Sequence, residues 1–405
     1  MIWRLVLSAA AGVVLSCGPV AAQVADTGPV KVGVLTDLSG YLSSALGPGT
    51  VDAARMAAED FGGKLLGRPI EIISADHQNK PDIGGTIARR WIDQENVQVF
   101  TGMGNSSVAL AVHSLVREKN RIGLYVSAAT TLLTGKECSP NGIHWGHDTF
   151  MFGNAVPNGL LKAGVDTWYL LAADYAFGRS MADEMKKVIE ARGGKVVGTS
   201  YHPQGTADFS SFLLSAQASG AKAIAILNAG NDTVNAIKQS REFAITEGGK
   251  RLVVGMLLVS DAFALGTKAA QGIEFSTVFY WDMNPEASVW SRRFFERNKS
   301  MPTEAHAGVY SAVSHYLKSA QSAKTTETNA VLAKMREMPV NDFYSKNLKV
   351  REDNRLMRPA YIAQIKTPQT QREPWDLYNI TTTIAPDDAF RSLAESDCSM
   401  VLKKN

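Results

Sequence analysis

Two clusters of hydroxyl-bearing residues have the types and spacing to bind a ligand. Asn105, Ser106 and Ser107 follow a short apolar run, Gln98–Met103, that closes on Gly102 and Gly104. Ser127, Ala128, Ala129, Thr130 and Thr131 follow a second run, Ile122–Val126. Between them Val108–Lys119 carries apolar residues at helical spacing. The stretch reads as strand, helix, strand. In a parallel α/β sheet, ligands sit beyond the carboxyl ends of the strands. One of these ends runs straight into a helix N-terminus, where free backbone N–H groups and the helix dipole favour a carboxylate or phosphate. One such cluster alone is explained by a helix cap on Asn105 or Ser106. Two at successive strand ends point to a binding site.

Catalytic signatures are missing. The chain has no G-x-S-x-G, H-E-x-x-H, C-x-x-C or Walker loop. Gly102-Met103-Gly104 lacks the third spaced glycine of a dinucleotide fingerprint. His144 and His147 are three apart in a Gly-rich loop with no third ligand nearby, so no metal site is expected. The sequence gives no case for an enzyme and calls for no cofactor. The 405 residues are 45% hydrophobic with net charge +3, ordinary globular composition. That charge is too small and too evenly spread to argue for a nucleic-acid partner.

The elements that must position the clusters follow a regular rhythm. Strand-like runs at Val30–Leu38, Ile70–Ala75, Gln98–Met103 and Ile122–Val126 alternate with helical patterns at Thr50–Asp60, Pro81–Gln94 and Val108–Lys119. This is a parallel sheet with right-handed crossovers. Thr134–Met151 breaks the rhythm with Cys138, Pro140, Gly142 and Gly146. The alternation restarts with strands at Trp168–Ala173, Lys195–Tyr201, Ala221–Leu227 and Leu252–Leu258. Ile273–Trp281 and Ala360–Ile365 read as later strands, and Lys366–Asn405 as irregular.

Met1–Ala22 has Arg4, the apolar run Leu5–Leu15 and then Val20-Ala21-Ala22, the layout of a secretory signal peptide cleaved after Ala22. Val14-Leu15-Ser16-Cys17 partly resembles a lipoprotein box, but Leu15 and its late position fit poorly. Cleavage leaves Cys138 and Cys398, which in an exported protein read as one disulfide. Two free buried thiols are the alternative.

These residues resemble the periplasmic solute-binding proteins of ABC importers, of the leucine/isoleucine/valine-binding type. The matching stretches are KVGVLTDLSG (31–40), LLGRPIEIISADHQNKP (65–81), IARRWIDQENVQVFTGMGNSS (87–107), SAATTLLTG (127–135) and ADYAFGRSMADEM (173–185). The resemblance covers Val30–Ile365 and implies two doubly wound α/β lobes joined by three crossings, closing on one small ligand by hinge motion. It places lobe 1 at 28–149 with 280–352, lobe 2 at 150–279 with 353–380, and a C-terminal tail at 381–405. It also implies a monomer in the periplasm that delivers its ligand to an inner-membrane ABC permease.

In branched-chain amino-acid binders of this type the first lobe holds the ligand carboxylate. Ser107 or its neighbour Ser106 matches the first anchoring position, and Ala128 (through its backbone) and Thr130 match the second. The second lobe offers an aromatic, matched by Phe177 with Tyr175 adjacent. Amino-acid binders also carry an acidic residue after the strand read here as Leu252–Leu258, where it meets the ligand ammonium. This chain has Met256, Leu257 and Leu258 there, and Asp261 further on reads as a helix N-cap. An ammonium without an acceptor is costly to bury. With Phe177, Tyr175, Leu257 and Trp281 as crevice candidates, an aromatic or hydrophobic carboxylate is favoured. The pieces CSP (138–140) and HW (144–145) also resemble family members linked to aromatic-acid uptake. A branched-chain or other hydrophobic amino acid is the alternative ligand, and a membrane-sensor subunit the alternative role.

Overall fold

The computed structural model describes residues 28–246 and 249–402. The expected leader Met1–Ala22, with Cys17, lies outside the described residues. No helix among the described residues is long and apolar enough to cross a membrane.

The first sheet runs in the order Arg68–Asp76, Val30–Thr36, Val99–Thr101, Ile122–Tyr125, Gly142–His144, all parallel, with the short strand Lys64–Leu65 antiparallel on its edge. The central strands are continuous apolar runs because helices cover both faces. Helix Gly47–Asp60 packs with helix Glu304–Ala323. Helices Pro81–Glu95 and Ser106–Glu118 pack together around a separate apolar cluster with Trp91 and Phe100. The second sheet runs Arg251–Val254, Ala223–Leu227, Thr167–Ala173, Lys195–His202, again parallel. A third, antiparallel sheet joins Glu274–Thr277, Ala360–Ile365 and Tyr378–Ile384.

Five elements depart from the sequence reading. The loop expected over Thr134–Met151 contains the strand Gly142–His144, and helix Thr149–Lys162 begins at its end. Asp148 starts that helix, its carboxylate accepting the Met151 N–H at 2.9 Å. The expected irregular tail contains the strand Tyr378–Ile384, which spans the expected lobe–tail boundary at 380/381. Its Thr-rich run satisfies its backbone by pairing with Ala360–Ile365. The strands expected at Leu252–Leu258 and Ile273–Trp281 end early, at Val254 and Thr277.

Three crossing segments are stitched together behind the sheets. Glu304 accepts from Thr277 Oγ1 at 2.6 Å and from the Val278 N–H at 3.0 Å. The His144 N–H donates to the Asn354 carbonyl at 2.9 Å, and the fully buried Arg355 donates to the Gly146 carbonyl. Cys138 and Cys398 form a disulfide with Cα atoms 5.6 Å apart, pinning the C-terminal residues onto the first lobe.

Candidate functional site

Each parallel sheet has one point where the strand order reverses, and these are the usual ligand positions in open α/β sheets. In the first sheet the reversal lies between Val30–Thr36 and Val99–Thr101; in the second, between Thr167–Ala173 and Ala223–Leu227. The two points face each other. The small cavity between them, about 20 Å³, is lined from the first lobe by Leu42, Ala45, Leu46, Gly104 and Ser127. The second lobe supplies Tyr175, Phe177, Ala229, Met256 and Leu258, and the crossing region supplies His147 and Ala305. No Asp or Glu lines it.

The lobes are closed on each other. Asn105 Nδ2 and the Tyr41 hydroxyl both donate to Gln204 Oε1, at 2.8 and 3.0 Å. The Asn231 N–H donates to the Tyr41 carbonyl at 3.1 Å. Gly230 makes this approach possible: its φ is +59°, and a Cβ there would lie 2.6 Å from the Tyr41 carbonyl oxygen. Leu42, Leu46, Tyr175, Phe177, Met256 and Leu258 join one apolar cluster across the cleft.

The two hydroxyl clusters meet. Asn105 is the N-cap of helix Ser106–Glu118, its Oδ1 accepting from Ser107 and Val108 N–H at 3.0 and 3.2 Å. Ser106, fully buried, accepts the Thr130 N–H at 3.3 Å. Thr130 accepts the Leu132 N–H at 3.4 Å, capping the short turn Thr131–Thr134. Ser107 accepts the Ala176 N–H at 3.3 Å, across the cleft. Each hydroxyl spends a lone pair on a backbone N–H and keeps its own O–H to donate. Ala176 is the first residue of helix Ala176–Ala191, so two helix N-termini from opposite lobes converge on Ser107. Ala128, within the second cluster, is buried in the first-lobe core.

Tyr175 and Phe177 lie together, ring centroids 5.7 Å apart, on the cavity wall. Of the expected site residues, Ser106, Ser107, Ala128, Thr130, Leu257 and Trp281 do not line the cavity. After Val254 the chain leaves the sheet at Gly255, and Met256 and Leu258 turn to the cavity while Leu257 points into the other core cluster. Trp281, past the end of its strand, donates its Nε1–H to the Trp375 carbonyl at 2.8 Å, with the Arg292 guanidinium 4.7 Å over its ring. Asp261 caps a helix, but from within the first turn: its carboxylate accepts the Leu258 N–H at 3.1 Å. Burial pushes its carboxyl up to about 7.

The sequence reading missed Leu42, Leu46, Gln204 and His147. Leu42 and Leu46 stand four apart in a Gly- and Ser-rich loop, a helical spacing that marks them as more than linker. His147 drew attention only as half of a weak metal pair. Among the described residues no group of three or more His, Cys, Asp or Glu is placed to hold a metal ion.

The chain belongs to the periplasmic binding protein family, whose profile matches residues 29–371. It is a solute-binding protein of the ABC-transporter type, a ligand-binding protein and not an enzyme. A periplasmic binding protein of Burkholderia mallei is similar in structure, with TM-score 0.90 and 38% identity over 92% of this chain and 99% of that one. The Leu/Ile/Val-binding protein homolog 8 of Brucella suis is 26% identical over 75% of this chain and 78% of its own length. A solute-binding protein of an ABC transporter from Rhodopseudomonas palustris, in complex with benzoate, shares the fold, with TM-score 0.80 and 20% identity over 92% of this chain and 100% of that one.

Proposed function

We propose that the protein captures an aromatic or hydrophobic carboxylate in the cleft and delivers it to an ABC permease. The observation that carries this reading is the convergence of two helix N-termini on Ser107, whose partner Ala176 stands between Tyr175 and Phe177 in the wall of an aromatic, apolar cavity that no carboxylate lines. Helix N-termini and spare O–H groups suit an anion. A ligand ammonium would meet Met256 and Leu258. Ser106, Ser107 and Thr130 are the anchors of this reading, and Tyr175 and Phe177 enclose the ligand body. That a protein of the same fold is in complex with benzoate supports this reading.

In this reading residues 28–149 with 280–352 move against 150–279 with 353–380, and Met1–Ala22 exports the chain to the periplasm as a monomer. A hydrophobic amino acid is the second reading, supported by the Brucella relative's name. It would draw on Asp261 as the ammonium acceptor. Calorimetry of the ligand-stripped protein against benzoate- and cinnamate-type acids, and against leucine, isoleucine, valine and phenylalanine, separates the two. Micromolar binding of the amino acids with none of the aromatic acids overturns the first reading. Permease and ATPase genes beside this one distinguish transport from a sensor role.

A further inference from the structure

His147 lines the cavity and is the one side chain in its wall able to carry a positive charge. It is 3% exposed, and its Nε2 has no hydrogen-bond partner. The other ring nitrogen, Nδ1, is paired with Glu304 Oε1. A carboxylate only accepts, so that contact places a proton on Nδ1. A second proton, on Nε2, makes the ring an imidazolium whose free N–H is turned away from Glu304.

Glu304 is built to hold that cation. Burial pushes its carboxyl up, but the His147 ring beside it and hydrogen bonds from Thr277 and the Val278 N–H bring it below the ordinary value overall. The other titratable and charged groups around His147 are occupied or shielded. His144, on the same crossing, is driven well below its ordinary value by burial and then by Arg355, and stays neutral. Arg355 lies 3.7 Å from Asp148, donates to the Gly146 carbonyl and sits 3.8 Å over the Phe390 ring. On its apolar side the Phe152 ring lies 4.8 Å from the His147 ring.

We propose that His147, protonated and held by Glu304, is the counter-charge that the cleft offers to the ligand carboxylate. This rests on the carboxylate reading above. A carboxylate closed into an apolar cleft with neutral donors alone keeps much of its desolvation penalty, and a paired imidazolium removes part of it. The arrangement also reaches both crossings, since His147 lies on the first and Glu304 accepts from Val278 on the second. Ligand contact at Nε2 thus bears on the segments that bend when the lobes open.

The test uses benzoate and its neutral isostere benzamide as probes, titrated calorimetrically into wild type, His147→Gln and Glu304→Gln, with circular dichroism reporting folding. His147→Gln keeps an N–H donor and loses the charge. Benzoate affinity should fall by roughly ten- to a hundredfold in His147→Gln, with benzamide changed by less than about threefold. Glu304→Gln should weaken benzoate in the same direction. Benzoate binding that is undiminished in His147→Gln overturns the assignment and leaves the carboxylate reading standing. Equal loss of benzamide and benzoate reduces His147 to a neutral hydrogen bond and overturns the charge role. Failure of benzoate to bind the wild type at all overturns both.

Discussion

Asp261→Asn should remove a pH-dependent destabilisation from the protein. Asp261 is 1% exposed, with one oxygen accepting from the Leu258 N–H and the other, Oδ1, without a partner. Burial lifts its carboxyl from 3.8 to about 7. Roughly three pKa units at about 1.4 kcal/mol each correspond to about 4 kcal/mol. The sign follows from the raised folded value. The folded state holds the proton more tightly than the unfolded chain, so this contribution is fully present below the ordinary carboxyl pKa and is lost as pH rises through about 7. Asparagine keeps an oxygen for Leu258 and never ionises, but it puts an unpartnered NH₂ where Oδ1 sits, at a constant cost of about 1–3 kcal/mol. The difference between variant and wild type should therefore climb by up to about 4 kcal/mol from about pH 4 to about pH 8. Near pH 8 the variant should be the more stable by about 1–3 kcal/mol. Urea unfolding of both proteins across that range measures this, and other titrations cancel in the difference. Parallel stability curves would refute the reasoning. The same argument bears on the ligand, because a carboxyl that is half protonated near neutral pH is a poor counter-ion for an ammonium.

Ser107→Ala removes both the acceptor for the Ala176 N–H and a donor to the ligand, and Thr130→Val removes the second donor at constant shape. Each should weaken benzoate binding by about 1.5–3 kcal/mol, and wild-type affinity in both would place the anchor elsewhere. Gly230→Ala adds about 1–3 kcal/mol of backbone strain at φ +59° and sets a Cβ 2.6 Å from the Tyr41 carbonyl oxygen, a clash met only when the lobes meet. Its solution scattering should report a more open particle, and a radius of gyration equal to that of the closed wild type would contradict this. Cys138→Ser opens a link between residues 260 apart, for which the chain-entropy model sets an upper figure of about 5 kcal/mol. A lower melting temperature and faster proteolysis of the C-terminal residues are expected, and an unchanged melting temperature would deny the bond a stabilising role.

The alternating strands and helices of both lobes were legible because a parallel sheet covered on both faces needs continuous apolar runs, and Val30–Thr36 or Ala223–Leu227 can be little else. Capping by Asn105 was legible from residue type at a strand–helix junction, and the pairing of Cys138 with Cys398 from cysteine count, as the two cysteines outside the expected leader. The strand Gly142–His144 was hidden because three residues among Cys, Pro and Gly carry no period, and helix Thr149–Lys162 because Gly153, Pro157 and Gly159 interrupt its pattern.

The sequence by itself determined the class of fold and the chemical character of the strand ends, since both follow from residue type and short-range spacing. Only the tertiary structure decided which side chains share the cleft. One residue of register separates Met256 and Leu258 in the cavity from Leu257 in the core, and that register depends on where Arg251–Val254 leaves its neighbour Ala223–Leu227. Trp281 went to the Trp375 carbonyl, a partner 94 residues away. His147 gained its role from Glu304, the first residue of helix Glu304–Ala323, far away in the chain. These are meetings between distant segments, fixed by packing and closure of the two lobes, and no local pattern encodes them.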